Sequence, residues 1–377
     1  MKVPGPRPRT TFFQQVEETV KRDYLPFAGG RSRGLPARLL KALSELASRL
    51  YGRAVLLRNQ LYSSGALARR RLPLPAVSVG NITVGGTGKT PFVQYVAGLL
   101  RRLGRRPAVI ARGYGPAVAW CRGPVNDEGL LLARNLPDVP VLLSPDRLSA
   151  AFRALDLGAD CAVLDDAFQH LRAERDLDVV LLDATVPLGF GRVLPRGLLR
   201  EPMRGLARAD VIVINRADLA RRGDLTVLEN VISRAAPGKP VFLARQRPVR
   251  LVRLEDGRSE TLRLLEDQPV GTFCGLGNPY PFGLLLRWLG AEVVYARRFP
   301  DHHLYGRGEV AEVARAARQS GARLLVTTQK DAVKIPPELA ATLEVPLYYL
   351  LIRAELVEGE ERFLGLLSEA LTAAEER

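Results

Sequence analysis

From Pro75 onward, short apolar segments alternate with longer segments whose apolar residues recur at helical spacing. The short segments are rich in Val, Ile, Leu and Ala, which is typical of strands buried on both faces of a sheet. Before residue 240 they lie at 76–79, 108–111, 139–143, 161–164, 179–182 and 211–214. Strands that alternate with helices in this way predict an α/β fold with a mostly parallel sheet flanked by helices.

The pattern changes after residue 240, where V-F-L-A-R-Q-R-P-V-R-L-V-R-L-E-D-G-R alternates polar and apolar residues. This alternation predicts a solvent-facing hairpin arm, which we interpret as a linker. Beyond it we predict the strands of a second, smaller Rossmann-like α/β lobe, at 271–274, 292–295, 323–327 and 346–351. The expected regions are an N-terminal extension with a helix, a larger domain, and a smaller lobe with its linker strands, over 1–72, 73–240 and 241–377.

Residues 35–50, L-P-A-R-L-L-K-A-L-S-E-L-A-S-R-L, predict a basic amphipathic helix that begins near Pro36. Its apolar residues recur at helical spacing and are Leu39, Leu40, Leu43, Leu46, Ala47 and Leu50. Such a helix can lie in a membrane interface, with its apolar face among acyl chains and its cations near lipid phosphates. The same stripe could instead pack on the protein's own core, and periodicity alone does not separate the two.

Composition narrows the class of protein. The 377 residues are 47% hydrophobic and 25% charged, which excludes a disordered chain. The formal net charge of +15 favours an anionic partner (nucleic acid, an anionic membrane or a phosphorylated substrate) unless it reflects only an arginine-rich proteome. The three cysteines lie far apart, so we expect neither disulfides nor structural zinc. Without a long apolar run or a signal-peptide pattern, the expected location is the cytoplasm.

The most informative motif is V-S-V-G-N-I-T-V-G-G-T-G-K-T-P, an apolar strand that runs into a glycine-rich loop. Its glycines let backbone N–H groups point at phosphate oxygens, Lys89 can reach the outer phosphates, and the Thr90 hydroxyl can hold Mg²⁺. The first position of the usual G-x-x-x-x-G-K-[ST] pattern is Thr83. The expected nucleotide-binding residues are Gly85, Gly86, Thr87, Gly88, Lys89 and Thr90. The motif predicts a P-loop NTPase-type sheet that binds a nucleoside triphosphate.

A pair of carboxylates follows the apolar strand C-A-V-L, in D-D-A-F-Q-H. In a P-loop fold, the strand beside the phosphate loop ends in an acid that holds Mg²⁺ directly or through water. Asp165 and Asp166 occupy that place, so one could hold the metal while the other orients or deprotonates an attacking hydroxyl. Alternatively, they cap the next helix. His170 lies a few residues further on and is either a neighbour of the site or structural.

Other candidate groups are ambiguous from the sequence alone. In F-P-D-H-H, the aspartate before His302 can orient the imidazole, although such a triplet is also common in surface turns. In V-N-D-E-G, Asp127 is either a functional acid or part of a helix cap. The loop G-F-G-R-V-L-P-R-G-L-L-R-E-P presents Arg192, Arg196 and Arg200, whose guanidinium groups can bind phosphate bidentately or simply face solvent.

The segment V-I-V-I-N-R-A-D suggests a competing function. It is similar to the strand and N-K-x-D turn that reads guanine in GTPases, except that Arg216 replaces the lysine. A GTPase of the SIMIBI or metallochaperone type is therefore the alternative to a kinase. A nucleic-acid-binding ATPase would use the positive charge, but no recognition motif or aromatic stacking platform appears, so no nucleic-acid partner is expected.

Seven blocks, in order along residues 39–335, resemble those of the lipid A 4′-kinase (tetraacyldisaccharide 4′-kinase) family. They are V-G-N-I-T-V-G-G-T-G-K-T-P, A-R-G-Y-G, L-D-D-A-F-Q-H, G-F-G-R-V-L-P-R-G-L-L-R-E-P, F-C-G-L-G-N-P, F-P-D-H-H and T-T-Q-K-D-A-V-K-I. Thr83 at the first P-loop position is typical of that family. So is a turn like N-R-A-D, which weakens the GTPase interpretation.

The resemblance implies transfer of the γ-phosphate of ATP, with Mg²⁺, to the 4′-hydroxyl of a tetraacylated glucosamine disaccharide 1-phosphate. The product is lipid IVA, an intermediate of lipid A (lipopolysaccharide) biosynthesis. It also implies a peripheral or N-terminally anchored enzyme on the cytoplasmic face of the inner membrane. Its fold would be two α/β lobes joined by a β-hairpin linker.

The resemblance also implies roles for individual residues. The family's catalytic aspartate and its paired histidine match Asp127 and His302, and its metal-binding acids match Asp165 and Asp166. We predict Asp127, His302 and Asp166 as the catalytic residues, and we hypothesise that Asp127, supported by His302, takes the proton of the sugar hydroxyl once the lobes close. Thr90 and Asp165 would hold the metal. The residues expected to bind the substrate are Arg112, Tyr114, His170, Arg192, Arg196 and Arg200.

Overall fold

The computed structural model describes residues 35–113 and 126–377. Tyr114 and the extension over 1–34 therefore lie outside the described residues. The first described element is helix α1, Leu35–Ser63, so the helix predicted over 35–50 continues well beyond that segment. Among the described helices, none combines the length and the apolar character needed to cross a membrane.

The first half of the sheet contains six parallel strands in the order β6-β5-β1-β4-β2-β3. Except at β3, whose ends are half-buried, every residue of these strands is buried, as their apolar sequences predict. The strands are β1 (Ala76–Asn81), β2 (Pro107–Ala111), β3 (Val141–Leu143), β4 (Cys161–Asp165), β5 (Leu177–Asp183) and β6 (Val211–Asn215). The helices of this half are α2 (Lys89–Arg102), α3 (Asp127–Asn135), α4 (Arg147–Asp156) and α5 (Arg222–Ala235).

Two long strands, β7 (Val241–Arg253) and β12 (Leu347–Leu356), join this half to the rest of the sheet. The first residues of β7 extend the parallel sheet beside β6, and the remainder pairs antiparallel with β12. The prediction of a solvent-facing linker arm is therefore only partly right. The arginines of β7 alternate outward as expected, but its other face is covered, so β7 is an internal strand of one twelve-stranded sheet.

The second half continues the sheet in the order β12-β11-β9-β10, with parallel pairing throughout. Its strands are β8 (Ser259–Glu260, which pairs with β7), β9 (Pro269–Cys274), β10 (Glu292–Arg298) and β11 (Leu324–Thr328). Its helices are α6 (Tyr280–Trp288), α7 (Arg307–Gln319), α8 (Gln329–Ala332) and α9 (Pro337–Ala340). Short 3₁₀ helices lie at Pro187–Gly191, Met203–Arg208, Ala217–Leu219 and Leu262–Leu265. The predicted α/β fold with a second α/β lobe is present.

The last helix, α10 (Glu360–Glu375), does not pack with the lobe that precedes it in sequence. Phe363 and Leu367 are fully buried in the core of the first half, where Phe363 makes an edge contact with Phe92 at 6.0 Å between ring centres. The expected region 241–377 is thus not one packing unit. Strand β12 crosses back beside β7 and delivers α10 to the P-loop half.

The parallel strands of the first half end at one edge of the sheet. The loop after β1, the carboxylates at the end of β4, and the polar ends of β5 and β6 therefore lie close together there. In open α/β sheets, ligands bind outside the carboxyl ends of the strands. The candidate site is at this edge.

Candidate active site

The glycine-rich loop has the backbone that its sequence predicts. Gly85 and Gly88 have φ angles of 106° and 81°, a region that side chains with a Cβ rarely adopt. A Cβ on Gly88 would also collide with the side chains of Asn215 and Gln246. Helix α2 begins at Lys89, so its N-terminal N–H groups point at the loop, as anion binding requires.

Side chains from neighbouring strand ends hold this loop in place. Asn81 Nδ2 donates to Thr87 Oγ1 at 3.0 Å, and Asn215 Nδ2 donates to the Thr87 carbonyl at 2.8 Å. Arg216 donates to the Gly86 carbonyl at 2.9 Å and is paired with the buried Asp183. The N-R of N-R-A-D, which we compared with a guanine-reading turn, thus supports the phosphate loop. Its Asp218 lies on the wall of the cavity described next.

A cavity of about 750 Å³ lies between the P-loop and the second half of the sheet. Its polar wall contains most of the predicted site residues and its other wall is apolar, formed by residues of α6 and β12 such as Phe282, Leu285 and Ile352. The predicted residues on the wall are Gly85, Gly86, Thr87, Gly88, Lys89, Thr90, Arg112, Asp165, Asp166, Arg200 and His302. This one concave surface therefore collects residues from both halves of the sheet.

Asp127 and His302 are in direct contact although they are far apart in sequence. The imidazole Nδ1 lies 3.0 Å and 3.1 Å from the two carboxylate oxygens. Asp127 opens helix α3, where the helix dipole stabilises a negative charge. The carboxylate is buried and not on the cavity wall, and it lies behind the imidazole. Of the two residues expected to act on the sugar hydroxyl, His302 is therefore the one on the cavity wall.

The pair has unequal proton affinities. Burial raises the pKa of Asp127, but the hydrogen bond with His302 and the charges of Lys330 and Lys334 outweigh it, so the pKa falls below its usual value. The hydrogen bond to Asp127 raises the pKa of His302 above its usual value, against the opposing effects of burial and Lys330. Both groups therefore favour their charged forms, in which each stabilises the other.

Lys330 and Lys334, the two lysines of T-T-Q-K-D-A-V-K-I, complete this network. Lys330 Nζ lies 3.4 Å from His302 Nε2 and 3.3 Å from Asp301. Lys334 Nζ is fully buried, 3.8 Å from Asp127 and 2.9 Å from the buried Asp331. The signal that sequence reasoning missed is their spacing. Lys330 lies in α8 and Lys334 lies four residues later, in the turn that follows it, and both are within 4.0 Å of Asp127.

The two acids at the end of β4, Asp165 and Asp166, differ in their surroundings. Burial, together with the nearby charges of Glu128 and Asp166, raises the pKa of Asp165 to about 7. Its Oδ1 is buried and has no hydrogen-bond partner within the described part of the chain. Asp166 accepts from Arg200 at 2.9 Å and lies 3.5 Å from Lys89. Burial raises the pKa of Asp166, but these two cations outweigh it and lower the pKa.

The arginine loop is placed differently from our expectation. Of its three arginines, only Arg200 lies on the cavity wall. Arg192 and Arg196 pair instead with Glu45 of helix α1, at 2.6 Å and 3.5 Å. The prediction that all three bind substrate phosphate missed this because the partner carboxylate lies far away in sequence.

Helix α1 is fastened to the arginine loop by further hydrogen bonds. Ser48 donates to the Val193 carbonyl at 2.7 Å, and Tyr51 donates to the Arg200 carbonyl at 2.9 Å.

His170 also lies off the cavity wall, and burial lowers its pKa. The position of Tyr114 lies outside the described residues.

A family model described as tetraacyldisaccharide-1-P 4′-kinase matches residues 40–372. The chain belongs to the tetraacyldisaccharide 4′-kinase family. The enzyme of that name from Anaeromyxobacter sp. (strain K) is 41% identical, over 87% of this chain and 90% of its own length. The one from Syntrophus aciditrophicus (strain SB) is 38% identical, over 87% and 92%.

A solved relative supports the same assignment. LpxK from Aquifex aeolicus, described as an "apo" form in complex with ATP, is 30% identical with a TM-score of 0.66, covering 88% of this chain and 99% of that one. The predictions of a kinase in this family and of its fold class are confirmed. Membership of a kinase family also counts against the GTPase alternative.

The charges around His302 in this family member give a measurable prediction. The chain has three histidines, so imidazole NMR signals can be assigned from single His→Gln variants. We expect a pKa for His302 above the usual 6.5 or so, a decrease in Asp127→Asn, and an increase in Lys330→Met. His170, whose pKa is lowered by burial, provides the internal comparison.

The same shift determines the sign of a stability effect. A histidine with a raised pKa in the folded state stabilises the fold below its unfolded pKa, and this contribution is lost as the pH rises through the folded value. Urea unfolding between pH 6 and 9 should therefore show a smaller loss of stability in Asp127→Asn than in the wild type. An identical His302 pKa in wild type and Asp127→Asn would contradict the pairing.

Proposed function

We propose that this chain transfers the γ-phosphate of ATP to the 4′-hydroxyl of a tetraacyldisaccharide 1-phosphate, which gives lipid IVA. The observation that supports this most is the meeting of a P-loop and the Asp127–His302 pair at one cavity, in a member of this family. The A. aeolicus relative was solved with ATP, which supports ATP as the donor.

The donor phosphates would lie against the loop amides, with Lys89 near the outer phosphates. Arg200 and Lys89 both contact Asp166, so this carboxylate keeps two cations at the place where the transferred group must pass. Preorganised positive charge of this kind stabilises the negative charge that the phosphoryl group carries in the transition state.

The residues present fit a Mg²⁺ ion. Asp165 offers a buried carboxylate oxygen without a hydrogen-bond partner among the described residues, and the Thr90 hydroxyl lies on the same wall. Mg²⁺ usually takes one or two carboxylates together with substrate phosphates and waters, so Asp165 and Thr90 suffice with a bound nucleotide. The ion would neutralise charge on the β- and γ-phosphates.

The reaction forms a bond between the 4′-oxygen and the γ-phosphorus and breaks the bond to the β–γ bridging oxygen. ADP leaves, and the hydroxyl proton must be accepted in the site. We assign it to the Asp127–His302 pair in the form in which Asp127 is ionised and His302 is neutral: Nε2 of His302 takes the proton, and Asp127 stabilises the imidazolium that forms. Lys334, 3.8 Å from Asp127, and Lys330, 4.0 Å from Asp127 and 3.4 Å from His302 Nε2, help to hold the pair in position.

The proposed site is formed by two lobes of the chain. We propose a P-loop kinase domain over 73–240 and a smaller lobe over 241–377, with α10 returning to pack on the first. His302 and the P-loop come from different lobes, so the site is complete only when the lobes are closed.

We propose that helix α1 lies on the cytoplasmic face of the inner membrane, where the acylated substrate is embedded. The side chains from Leu43 onward support this, because a stripe of leucines is more than half exposed instead of packing on the core. These residues are Leu43 (54%), Leu46 (55%), Leu50 (56%) and Leu57 (58%). The exposed Arg69, Arg70 and Arg71 supply charge for anionic headgroups. The proposed function involves no nucleic-acid partner.

The function is tested by incubating the protein with ATP and tetraacyldisaccharide 1-phosphate and looking for a new 4′-phosphate. Lys89→Ala should lower turnover by about 10²–10³-fold, because one charged donor to the transferred phosphate is lost. Lys239→Ala, which removes a lysine from the surface pair with Asp210, is the control and should leave turnover unchanged. Undiminished turnover in Lys89→Ala would overturn the P-loop assignment, and a preference for GTP would restore the GTPase alternative.

Proton acceptance by the pair is tested with Asp127→Asn and His302→Gln. Each should lower kcat by about 10²–10⁴-fold, the usual effect of losing a general base, with the KM for ATP changed only a few-fold. Asp138→Asn, at an exposed position, is the matched control. A loss found mainly in the KM for ATP would argue against this role.

Membrane binding is tested by sedimentation with vesicles that contain anionic lipid. The double variant Leu50→Glu, Leu57→Glu should bind at least about ten-fold more weakly, because each leucine loses about 1.5–3 kcal/mol of burial. Leu157→Glu, Val227→Glu changes two equally exposed apolar residues elsewhere and should bind like the wild type. Equal binding by all three proteins would remove α1 from the membrane contact.

A further inference from the structure

Arg58 of helix α1 is a cavity residue to which the sequence assigned no role. It lies on the cavity wall with Tyr51 and Val55 of the same helix. Its only hydrogen bond to the described residues is from Nη2 to the amide oxygen of Asn59, at 3.4 Å. Its Nε is buried and has no partner in that part of the chain.

Four other cations on this wall contrast with Arg58. Lys89 and Arg200 share Asp166, Arg216 is paired with Asp183, and Lys330 lies 3.4 Å from Glu128. No carboxylate of the described residues lies within ion-pair distance of Arg58. The nearby Glu201, which accepts from Asn59 at 3.3 Å, is already paired with Arg208 at 2.7 Å. The positive charge of Arg58 is thus left for a group that enters the cavity.

The position of Arg58 on α1 limits what that group is. At about 100° per residue, Tyr51, Val55 and Arg58 share one face of the helix, and the exposed leucines occupy the adjacent face about 100° away. If those leucines lie among acyl chains, Arg58 lies at the depth of lipid headgroups. A phosphate attached to an acylated sugar lies at that same depth.

We propose that Arg58 binds the phosphate that the acceptor already carries, at position 1 of the disaccharide. This role of Arg58 rests on the proposed function, which assigns no protein contact to the 1-phosphate of the acceptor. An arginine fork suits a phosphate monoester, because two N–H groups can bind two phosphate oxygens. The P-loop then serves only the donor phosphates, and Arg58 distinguishes a phosphorylated acceptor from an unphosphorylated one.

The experiment compares two acceptors, the tetraacyldisaccharide 1-phosphate and the same disaccharide with a free 1-hydroxyl, in neutral detergent micelles. We expect Arg58→Met to lower kcat/KM for the phosphorylated acceptor by about 10- to 100-fold, the effect of losing a charge-assisted hydrogen bond. For the unphosphorylated acceptor the change should stay within about three-fold. Arg58→Lys should retain part of the preference, because it keeps the charge without the fork.

The matched control is Arg53→Met, which removes the same charge from an exposed position of α1 that is not on the cavity wall. It should leave both acceptors unaffected, and the neutral micelles exclude an effect on anionic lipid. Equal losses on both acceptors, or no loss on either, would overturn the proposal. If the unphosphorylated acceptor reacts too slowly to measure, a ten-fold higher KM for the phosphorylated acceptor supports it and an unchanged KM overturns it. Absence of wild-type activity on both acceptors would instead refute the proposed function.

Discussion

The contact between Asp127 and His302 is the constraint on which the rest of the site depends. The two residues belong to different halves of the sheet, and a hydrogen bond of 3.0 Å tolerates little relative movement. The paired strands β7 and β12 set the separation of the halves, because each strand runs through both. The P-loop, the acids at the end of β4 and the pair thereby share one cavity.

Holding this contact requires charged groups that are far from water. Asp127, Asp331 and Lys334 are all buried, which is costly unless each charge is paired. Here Lys334 lies between the two carboxylates, and Asp331 also accepts from Tyr305 at 2.9 Å and from Thr328 at 2.7 Å. The second lobe thus contributes more than His302. It also contributes Lys334, whose positive charge helps to keep the buried carboxylate of Asp127 ionised.

Much of the fold and the donor half of the site could be predicted from the sequence, because both depend on local patterns. A few consecutive residues are enough to recognise an apolar strand, a strand–loop–helix segment with two glycines of positive φ, or acids at a strand end. What could not be predicted depends on distant partners. Arg192 pairs with Glu45 of helix α1, the N-R of N-R-A-D supports the P-loop, and α10 crosses to the other half. The sequence pattern around an arginine does not indicate which distant carboxylate will pair with it.

Helix α10 also has a consequence for the order in which the protein folds. Phe363 and Leu367 fill the core beside helix α2, yet the whole second lobe separates them from that helix in sequence. The strands and helices of the P-loop half precede α10 in the chain, so their core is complete only after α10 has been synthesised. Contacts between such distant parts of a chain form slowly, because a long loop must close before they stabilise anything. The nucleotide site of this kinase is thus encoded before the helix that completes its core, so that a chain truncated before α10 carries the P-loop motif without the core that supports it.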